Sequence, residues 1–287
     1  MTRCVYVNGR YLPSAEAAIS VEDRGFQFAD SVYEVIEVRS GALTDPTRHL
    51  ARLARSLVEL ALPAPMSDAG LKHIIGEVVR RNRVVDGIVY LQVSRGAAPR
   101  DFALPALGMK PTFVCLARSI PRASIEARAS TGLAVITLPD PRWARCDLKT
   151  VMLLPSVMAK AAAKSSGAQE AWFVDGAGFV TEGASSNAWI VTQAGALQTR
   201  PTGPDILAGV TRASLMDTAR HLQLQCIEQP FTVAEAHAAR EAFITSASAT
   251  VMPVVRIDGV SVGDGTPGPI TRQLRATFHE RAETVQL

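Results

Sequence analysis

The stretch RWARCDLKTVMLLPSVMAK, residues 142–160, contains the residue on which the interpretation of this sequence depends, Lys149. The chain of 287 residues has 25 arginines and only five lysines, so a lysine in an unusual setting is a candidate for lysine-specific chemistry. The other four lie on loops or helix faces where solvation is expected. Lys149 lies in a mixed apolar segment, and a partly desolvated lysine amine is what Schiff-base chemistry requires. The alternative is a lysine at a strand end that forms an ion pair with Asp147.

The composition excludes several classes of protein. Apolar residues make up 47% of the chain, which is enough for a packed core, and a net charge of +3 is too small to indicate a nucleic-acid surface. No apolar run approaches the roughly 20 residues of a membrane span, and the N-terminal stretch MTRCVYVNGRYLP lacks the apolar run of a secretory signal. The four cysteines are well separated, without metal-binding spacing. We therefore expect a cytoplasmic protein with no metal, membrane or nucleic-acid partner.

Strands and helices are predicted in clusters, without a regular βαβ alternation, which favours the α+β class. Residues 31–39 form a predicted strand with Tyr33 and Val35 on one face and Glu34 on the other. Asp45 precedes a proline and is expected to cap a helix. Further strands are predicted as a hairpin at 5–12 and at 87–95, 111–117, 133–138, 170–174, 179–181, 187–191 and 241–245, and helices at 67–82, 155–166, 211–222, 232–239 and from Ile270.

Other residues are candidates for a site by their chemistry. Glu182 is expected at a strand end beside a turn, where its carboxylate suits a pyridinium nitrogen, although an ordinary surface glutamate is the alternative. The Val210-Thr211 helix start and the loop at 246–248 could bind a phosphate, although small polar turns are common. Arg100 and Arg52 are candidate anion ligands or simply solvated arginines.

Seven segments of the chain, in this order, resemble the fold-type IV aminotransferases, a family that includes D-amino-acid and branched-chain aminotransferases. The resemblance runs nearly end to end. It implies an α+β fold with a small α/β N-terminal domain at 1–120, a linker at 121–128, a larger barrel-like domain at 129–287, and a homodimer. The segments are EDRGFQFADSVYEV, HLARL, YLQVSRGAAPR, RWARCDLKTVMLLPSVMAK, VTEGASSN, ILAGVTR and FITSASATVMPV.

The resemblance implies pyridoxal 5'-phosphate as cofactor, attached to Lys149 as a Schiff base, with Lys149 also transferring the substrate proton. It implies that Glu182 pairs with the pyridine nitrogen and that Leu207 packs beside the ring. Where the D-amino-acid enzymes have a threonine, this chain has Ala247, which retains only the backbone N–H. The phosphate contacts implied are Arg52, Val210, Thr211, Ser246, Ala247 and Ser248.

Within the family, RWARCDLKT and SRGAAPR are most similar to D-amino-acid aminotransferases. This implies transamination of a D-amino acid with a 2-oxo acid acceptor. Tyr33, Val35 and Arg100 are the expected substrate-binding residues, but Phe102 replaces a histidine of the same carboxylate site. The alternatives are a branched-chain L-amino-acid aminotransferase, an (R)-selective amine transaminase, an aminodeoxychorismate lyase and a non-catalytic homologue that binds the cofactor.

Overall fold

The structure is a computed structural model that describes residues 3–105 and 108–287, so that four residues expected in the first domain, 1, 2, 106 and 107, lie outside the described residues. The chain divides into two compact units. Unit 1 comprises Met1–Pro121, Leu148–Met152 and Glu283–Leu287, and unit 2 comprises Arg122–Asp147 and Leu153–Ala282. Two short segments expected in the larger domain thus belong to unit 1.

The described residues form an α+β fold, as predicted. Up to residue 121 the elements are β1 (Cys4–Val7), β2 (Arg10–Pro13), α1 (Arg24–Phe28), β3 (Ser31–Arg39), β4 (Ala42–Thr44), α2 (Pro46–Glu59), α3 (Asp68–Arg81), β5 (Gly87–Ser94) and β6 (Thr112–Ser119). They continue with α4 (Arg122–Thr131), β7 (Leu133–Pro139), α5 (Leu154–Ser165), β8 (Glu170–Val174), β9 (Val180–Gly183), β10 (Asn187–Val191), β11 (Leu197–Thr199), α6 (Val210–His221), β12 (Cys226–Glu228), α7 (Val233–His237), β13 (Glu241–Ser246), β14 (Thr250–Ile257), β15 (Val260–Ser261), α8 (Pro269–Arg281) and β16 (Thr284–Gln286). None of the helices in the described ranges is long and apolar enough to cross a membrane.

Unit 1 is built on an antiparallel sheet in the order β16-β4-β3-β5-β6-β1-β2. The expected hairpin is present between β1 and β2, with positive φ angles at Asn8 and Gly9 that suit a two-residue turn. The apolar sides of α2 and α3 join the sheet residues in one core, exemplified by Ile36, Leu53 and Ile75, which are almost completely buried.

The alternation of β3 places a charged residue in this core. Glu34 is fully buried. Two nitrogens of Arg52, Nε and Nη2, donate hydrogen bonds of 2.7 Å, one to each oxygen of the Glu34 carboxylate. Nδ1 of His49 lies 2.7 Å from the same carboxylate and donates to it, because a carboxylate can only accept. The helix α2 is thus fixed to β3 by a buried charge network as well as by apolar packing.

Burial by itself would raise the pKa of Glu34, but the charge and hydrogen bonds of Arg52 and the hydrogen bond from His49 outweigh it and hold the pKa at about 2. Since this value is below the usual 4.5, the network stabilises the fold fully above pH 4.5 and loses this contribution as the pH falls towards 2. Burial lowers the pKa of His49, and Glu34 only partly opposes this.

The start of α2 differs from the expectation. The expected capping residue, Asp45, adopts a left-handed conformation and makes no side-chain cap hydrogen bond. Its carboxylate instead accepts a hydrogen bond of 3.0 Å from the backbone N–H of Glu283. Asp45 therefore joins the C-terminal segment to unit 1, and the carboxylate of Glu283 receives a bond from the N–H of Thr47 near the helix start.

Unit 2 contains a mixed sheet in the order β12-β11-β10-β13-β14-β7-β8-β9, with β15 paired to β14. The N–H of Val180 in β9 donates to the carbonyl of Phe231, which follows β12 at the opposite end of this order. The two ends of the sheet therefore approach each other and the sheet curls. Residues 122–128, expected in a linker, lie in helix α4, which packs against β14.

We expect Glu34→Gln to lower the free energy of unfolding by about 3–5 kcal/mol, because the buried Arg52 cation loses its counter-charge. The control is Glu77→Gln on α3, since Glu77 is also bound by two arginines, at 2.9 and 3.0 Å, but in an exposed cluster. Urea unfolding at pH 7 measures both. The control should unfold at the wild-type urea concentration, and equal losses in the two variants would contradict a special role of the buried network.

Candidate active site

Lys149 is held against β3 by backbone pairing. The N–H of Tyr33 donates to the carbonyl of Lys149 at 3.0 Å, and the N–H of Val151 donates to that of Ser31 at 3.2 Å. This edge is accessible because β4 pairs with β3 only from Val38 onward. The segment around the lysine thus completes the first half of β3, which explains why it belongs to unit 1.

The amine of Lys149 lies over the ring of Tyr33, with Nζ 4.3 Å from the ring centroid. Among residues 3–105 and 108–287, Nζ makes no hydrogen bond and no ion pair. The expected alternative, an ion pair between Lys149 and Asp147, is not formed. The carboxylate of Asp147 is bound instead by Nε of Arg145 at 3.0 Å. Lys149 therefore presents a half-buried amine beside an aromatic face.

Tyr33 stacks on Tyr90 of β5, with ring centroids 5.6 Å apart. The hydroxyl of Tyr90 donates to the side-chain oxygen of Gln92 at 2.7 Å, and the amide of Gln92 donates to Ser31 at 3.0 Å. Burial, assisted by Tyr33, raises the pKa of Tyr90 to about 12, so its phenol stays neutral. Val35 is opposite Tyr90 in the strand register. This face of β3 and β5 supports the ring under Lys149.

The two arginines expected in the site are each held by other side chains of unit 1. Arg52 binds Glu34. Arg100 lies over the rings of Phe28 and Phe102, at 5.2 and 5.6 Å. Within the part of the chain that the structure describes, no hydrogen bond, ion pair or ring contact joins Arg100 to Tyr33 or to Lys149. The structure therefore brings Tyr33 and Lys149 together and leaves Arg100 apart from them.

Unit 2 contains a second buried carboxylate, that of Glu182 at the end of β9. One oxygen is bound by Nη1 of Arg142 at 2.5 Å and the other by the amide of Asn187 at 2.9 Å. The backbone N–H of Leu207 is 3.1 and 3.2 Å from the two oxygens. Donors from three segments thus fix the orientation of this carboxylate.

Arg142 is shared between Glu182 and a second acid, Asp140, whose oxygens it binds at 2.9 and 2.7 Å. Burial alone would lower the pKa of Arg142, but the hydrogen bonds and charges of the two acids outweigh this and raise the pKa well above its usual value. The guanidinium also donates to the backbone carbonyl of Asp205 at 3.1 Å. Arg142 is therefore a permanent cation that joins β9 to the loop before α6.

Asn187 connects Glu182 to the start of α6. Its amide nitrogen donates to Glu182 and to the carbonyl of Leu207, at 2.9 and 3.0 Å. Its side-chain oxygen lies so close to Gly209 that a Cβ at that position would collide with it. Gly209 is needed here for a close approach of backbone to side chain and not for an unusual φ angle, since its φ is −64°.

The N-terminus of α6 is a place where an anion can bind. Gly209 is the N-cap and makes no side-chain cap hydrogen bond, and the first N–H groups of a helix have no intrahelical acceptor. No acceptor for the N–H groups of Val210 and Thr211 is found in the described ranges. Both residues are nevertheless buried. The helix dipole adds to their attraction for an anion.

The turn at 246–248 lies in the same part of unit 2. It follows β13 and leads into β14, with Ser246 paired to Thr250. The preceding residue, Thr245, is the register partner of Asn187, and α6 packs against β13. The candidate phosphate groups thus lie near strands β10 and β13, and Glu182 is bound to β10 through Asn187. These groups are Leu207, Val210, Thr211 and the turn Ser246-Ala247-Ser248.

Comparison with known proteins identifies the family. A family model described as amino-transferase class IV matches residues 31–257. This chain belongs to the class IV aminotransferases. The aminotransferase prediction is therefore confirmed, as is the predicted fold.

The relatives of this aminotransferase cover nearly its whole length. The D-alanine aminotransferase of Bacillus licheniformis is 39% identical over 286 residues, which are 98% of this chain and 99% of that protein. The branched-chain amino acid aminotransferase of Escherichia coli covers 98% of this chain and 94% of its own, with a TM-score of 0.89 and 22% identity. The T.th. branched-chain amino acid aminotransferase, solved with pyridoxamine 5'-phosphate, has a TM-score of 0.88 and 27% identity at the same coverage of 98% and 94%.

Two residues that organise this aminotransferase, Arg142 and Asn187, were not predicted. Both occur in segments that carry the family resemblance. The N–H of Gly183 donates to the carbonyl of Ser186 in a tight turn. Recognising that turn would have predicted residue 182 beside residue 187. Arg142 had no comparable signal, because the approach of its segment to β9 is a tertiary contact.

We expect Gly209→Ala to lower the free energy of unfolding by about 1–3 kcal/mol, because its Cβ displaces Asn187 and leaves buried hydrogen bonds of Glu182 unmade. The control is Gly203→Ala, in the same loop, where a Cβ would meet open space. Thermal unfolding of the two variants measures the difference. Equal melting temperatures for Gly209→Ala and the control would show that the close approach at Asn187 is unimportant.

Proposed function

We propose that this aminotransferase transfers the amino group of a D-amino acid to a 2-oxo acid, with pyridoxal 5'-phosphate as its cofactor. The observation that carries the proposal is the 39% identity to a D-alanine aminotransferase over 98% of this chain and 99% of that protein. The branched-chain enzymes share the fold at lower identity. Their reaction is the second outcome of the test below.

The residues present have the chemistry that each polar part of this cofactor requires. The amine of Lys149, without a hydrogen bond or ion pair among the described residues, suits the aldehyde carbon. The amides of Val210 and Thr211 and the turn at 246–248 suit the phosphate. The buried carboxylate of Glu182 suits the ring nitrogen. Leu207 can pack beside the ring, since its backbone is fixed on Glu182.

When bound, the cofactor acts as an electron sink for the bonds at the substrate α-carbon. The residues of this chain supply the rest. Nζ of Lys149 would accept the proton from the substrate α-carbon and pass it on to another atom, since its return to the α-carbon would only regenerate an amino acid. Tyr33, supported by Tyr90, would hold the amine in place. Glu182 keeps a proton on the ring nitrogen, and Arg142 and Asn187 hold that carboxylate in position.

Phosphate binding is shared among several groups. Arg52 adds a cation whose orientation is set by the bidentate bond to Glu34. Ser246 and Ser248 offer hydroxyls as well as amides, whereas Ala247 offers an amide alone. The start of α6 contributes the amides of two successive residues. These groups together replace the water shell that a phosphate loses on binding.

The substrate carboxylate is assigned to Tyr33 and Arg100, with Val35 beside the substrate on the same strand face as Tyr33. The family resemblance implies that loops of one protomer reach the site of its partner, and we assign Arg100 to that role. A homodimer is therefore part of the proposal. Amino acid and 2-oxo acid compete for the same arginine in the two halves of the reaction.

An exposed apolar face on α5 supports the dimer. Leu154, Val157 and Met158 are 69%, 59% and 64% exposed. Their spacing places them on one side of the helix. Contiguous apolar surface of this kind is typical of an interface. A second copy of the chain is the partner that the proposed carboxylate site requires.

We expect Lys149→Ala to abolish covalent attachment of the cofactor and to slow transamination more than about a hundredfold, because the general base is lost. The control is Lys164→Ala, an exposed lysine of α5. Borohydride reduction followed by peptide mass measurement locates the cofactor. The half-reaction is followed by absorbance with D-alanine, L-alanine and L-leucine. Reaction chiefly with L-leucine would replace the D-amino-acid proposal by the branched-chain one, and cofactor retained on another lysine would contradict the role of Lys149.

We expect the wild-type protein to be a dimer and Val157→Asp to shift it towards monomer, because a carboxylate buried in an apolar interface costs several kcal/mol. The control is Val58→Asp on α2, where the valine is 79% exposed. Light scattering after size exclusion measures the mass at several concentrations. A monomeric wild type, or a Val157→Asp dimer as stable as the control, would argue against this interface.

A further inference from the structure

We propose that Phe28 and Phe102 position Arg100, and that this aromatic support sets how tightly the enzyme binds the carboxylate of its substrate. The inference rests on the proposed function, because it assigns Arg100 to that carboxylate. It adds two positioning residues and a physical reason for their effect on substrate affinity.

The guanidinium of Arg100 is supported by rings and not by acids. Its Cζ lies 5.2 Å from the ring centroid of Phe28 and 5.6 Å from that of Phe102. The two rings contact each other edge to face, with centroids 5.5 Å apart. No carboxylate or carbonyl in residues 3–105 and 108–287 accepts a hydrogen bond from Arg100. Its positive charge is therefore oriented by its neighbours without being neutralised by them.

The neighbouring acid is held in a different bond. The carboxylate of Asp101 accepts a hydrogen bond of 3.1 Å from the N–H of Ala103 and thus closes its own turn. If Asp101 were paired with Arg100, a substrate carboxylate would have to displace the carboxylate of Asp101. The same turn contains the next residue, Phe102, whose ring contacts the guanidinium of Arg100.

A buried arginine fastens this turn to α1. Nη1 of Arg24 donates to the carbonyl of Asp101 at 2.7 Å, while its Nε binds Asp30 at 2.9 Å. The same guanidinium lies 4.6 Å from the ring of Phe28. Arg24 therefore fixes both the backbone of the turn and the ring that supports Arg100. The side chain of Arg24 is 5% exposed, which makes it a rigid anchor.

The base of the loop is closed as well. A Cβ at Gly96 would collide with the carbonyl oxygen of Lys110, so the two ends of the loop meet there only because residue 96 is glycine. Its φ of +104° also favours glycine. The loop that carries Arg100 is thus anchored at its base and at the turn after the arginine.

The two rings offer what a substrate-binding arginine needs. An aromatic face attracts a cation but has no oxygen with which to compete for its N–H donors. The N–H groups of Arg100 remain available for a planar, bidentate carboxylate. Since the ring of Phe102 is 80% exposed, the attraction is that of a surface site, and its removal should weaken binding modestly without preventing it.

The test compares Phe102→Leu with wild type in steady-state transamination of D-alanine, with 2-oxoglutarate as the acceptor. We expect KM for D-alanine to rise about two- to fivefold, equivalent to about 0.4–1 kcal/mol at 1.4 kcal/mol per factor of ten, with kcat unchanged. Phe102→Tyr retains a ring and should restore the wild-type KM. The matched control is Phe26→Leu, which removes an exposed phenylalanine elsewhere in unit 1, on α1. Calorimetric titration with propionate, which cannot react, should show the same weakening.

A second variant separates support of Arg100 from a general effect on the loop. In an Arg100→Gln background, Phe102→Leu should change neither KM nor the Kd of propionate further, because the ring acts through the guanidinium. An unchanged KM in Phe102→Leu, or an equal effect with and without Arg100, would overturn the inference. If wild type uses an L-amino acid, the proposed function fails, whereas the same variants compared with that amino acid still decide the role of Phe102.

Discussion

A carboxylate removed from water needs cations and hydrogen-bond donors directed at it, and in each unit of this enzyme a buried carboxylate joins different elements in this way. In unit 1, Glu34 draws Arg52 and His49 of α2 onto the sheet. In unit 2, Glu182 draws together Arg142 and Asn187. A core of apolar residues alone would permit many arrangements of these segments. The buried acids permit few, because each donor must be present at hydrogen-bonding distance.

This constraint gives several arginines a structural role. Most arginines in the described ranges are exposed or half-buried, but Arg24, Arg95 and Arg212 are buried. Arg24 and Arg95 share Asp30. Burial would raise the pKa of Asp30, but the hydrogen bonds of Arg95 and Arg24 outweigh it and lower the pKa. A guanidinium, with five donors in a plane, can satisfy an acid and backbone carbonyls at once, which a lysine amine cannot do as well.

Local patterns predicted the elements, and tertiary contacts account for what they missed. The alternation of residues 31–39 correctly placed Glu34 on the opposite face from Tyr33, because a strand has a period of two. The strand at Thr250–Ile257 was not predicted, although it is central in its sheet. It contains Pro253, which argues against a central strand. The structure accommodates the proline because β7 begins to pair with this strand only at Val254.

The candidate site likewise has features that local sequence predicts and features that depend on tertiary contacts. Lys149 and Glu182 were identified from their chemistry and from the family resemblance, but the pairing of residues 149–151 with β3 has no local signal. It exists because β4 leaves that edge unpaired. The sequence could therefore name the lysine that we propose as the reacting one, but not the aromatic face on which its amine rests. That face depends on the register between β3 and β5, which places Tyr90 within stacking distance of Tyr33.

Arg100 differs from the other arginines in a way that follows from its proposed task. Arg24, Arg95 and Arg142 are each held by carboxylates, which fix them but also neutralise them. An arginine that must bind a substrate carboxylate and release it in every cycle cannot be held in that way, since the resident acid would compete with the substrate. Aromatic rings orient the guanidinium and leave its donors available. The exchange of an acidic for an aromatic support is therefore the physical distinction between the structural arginines of this enzyme and the arginine that we propose binds its substrate.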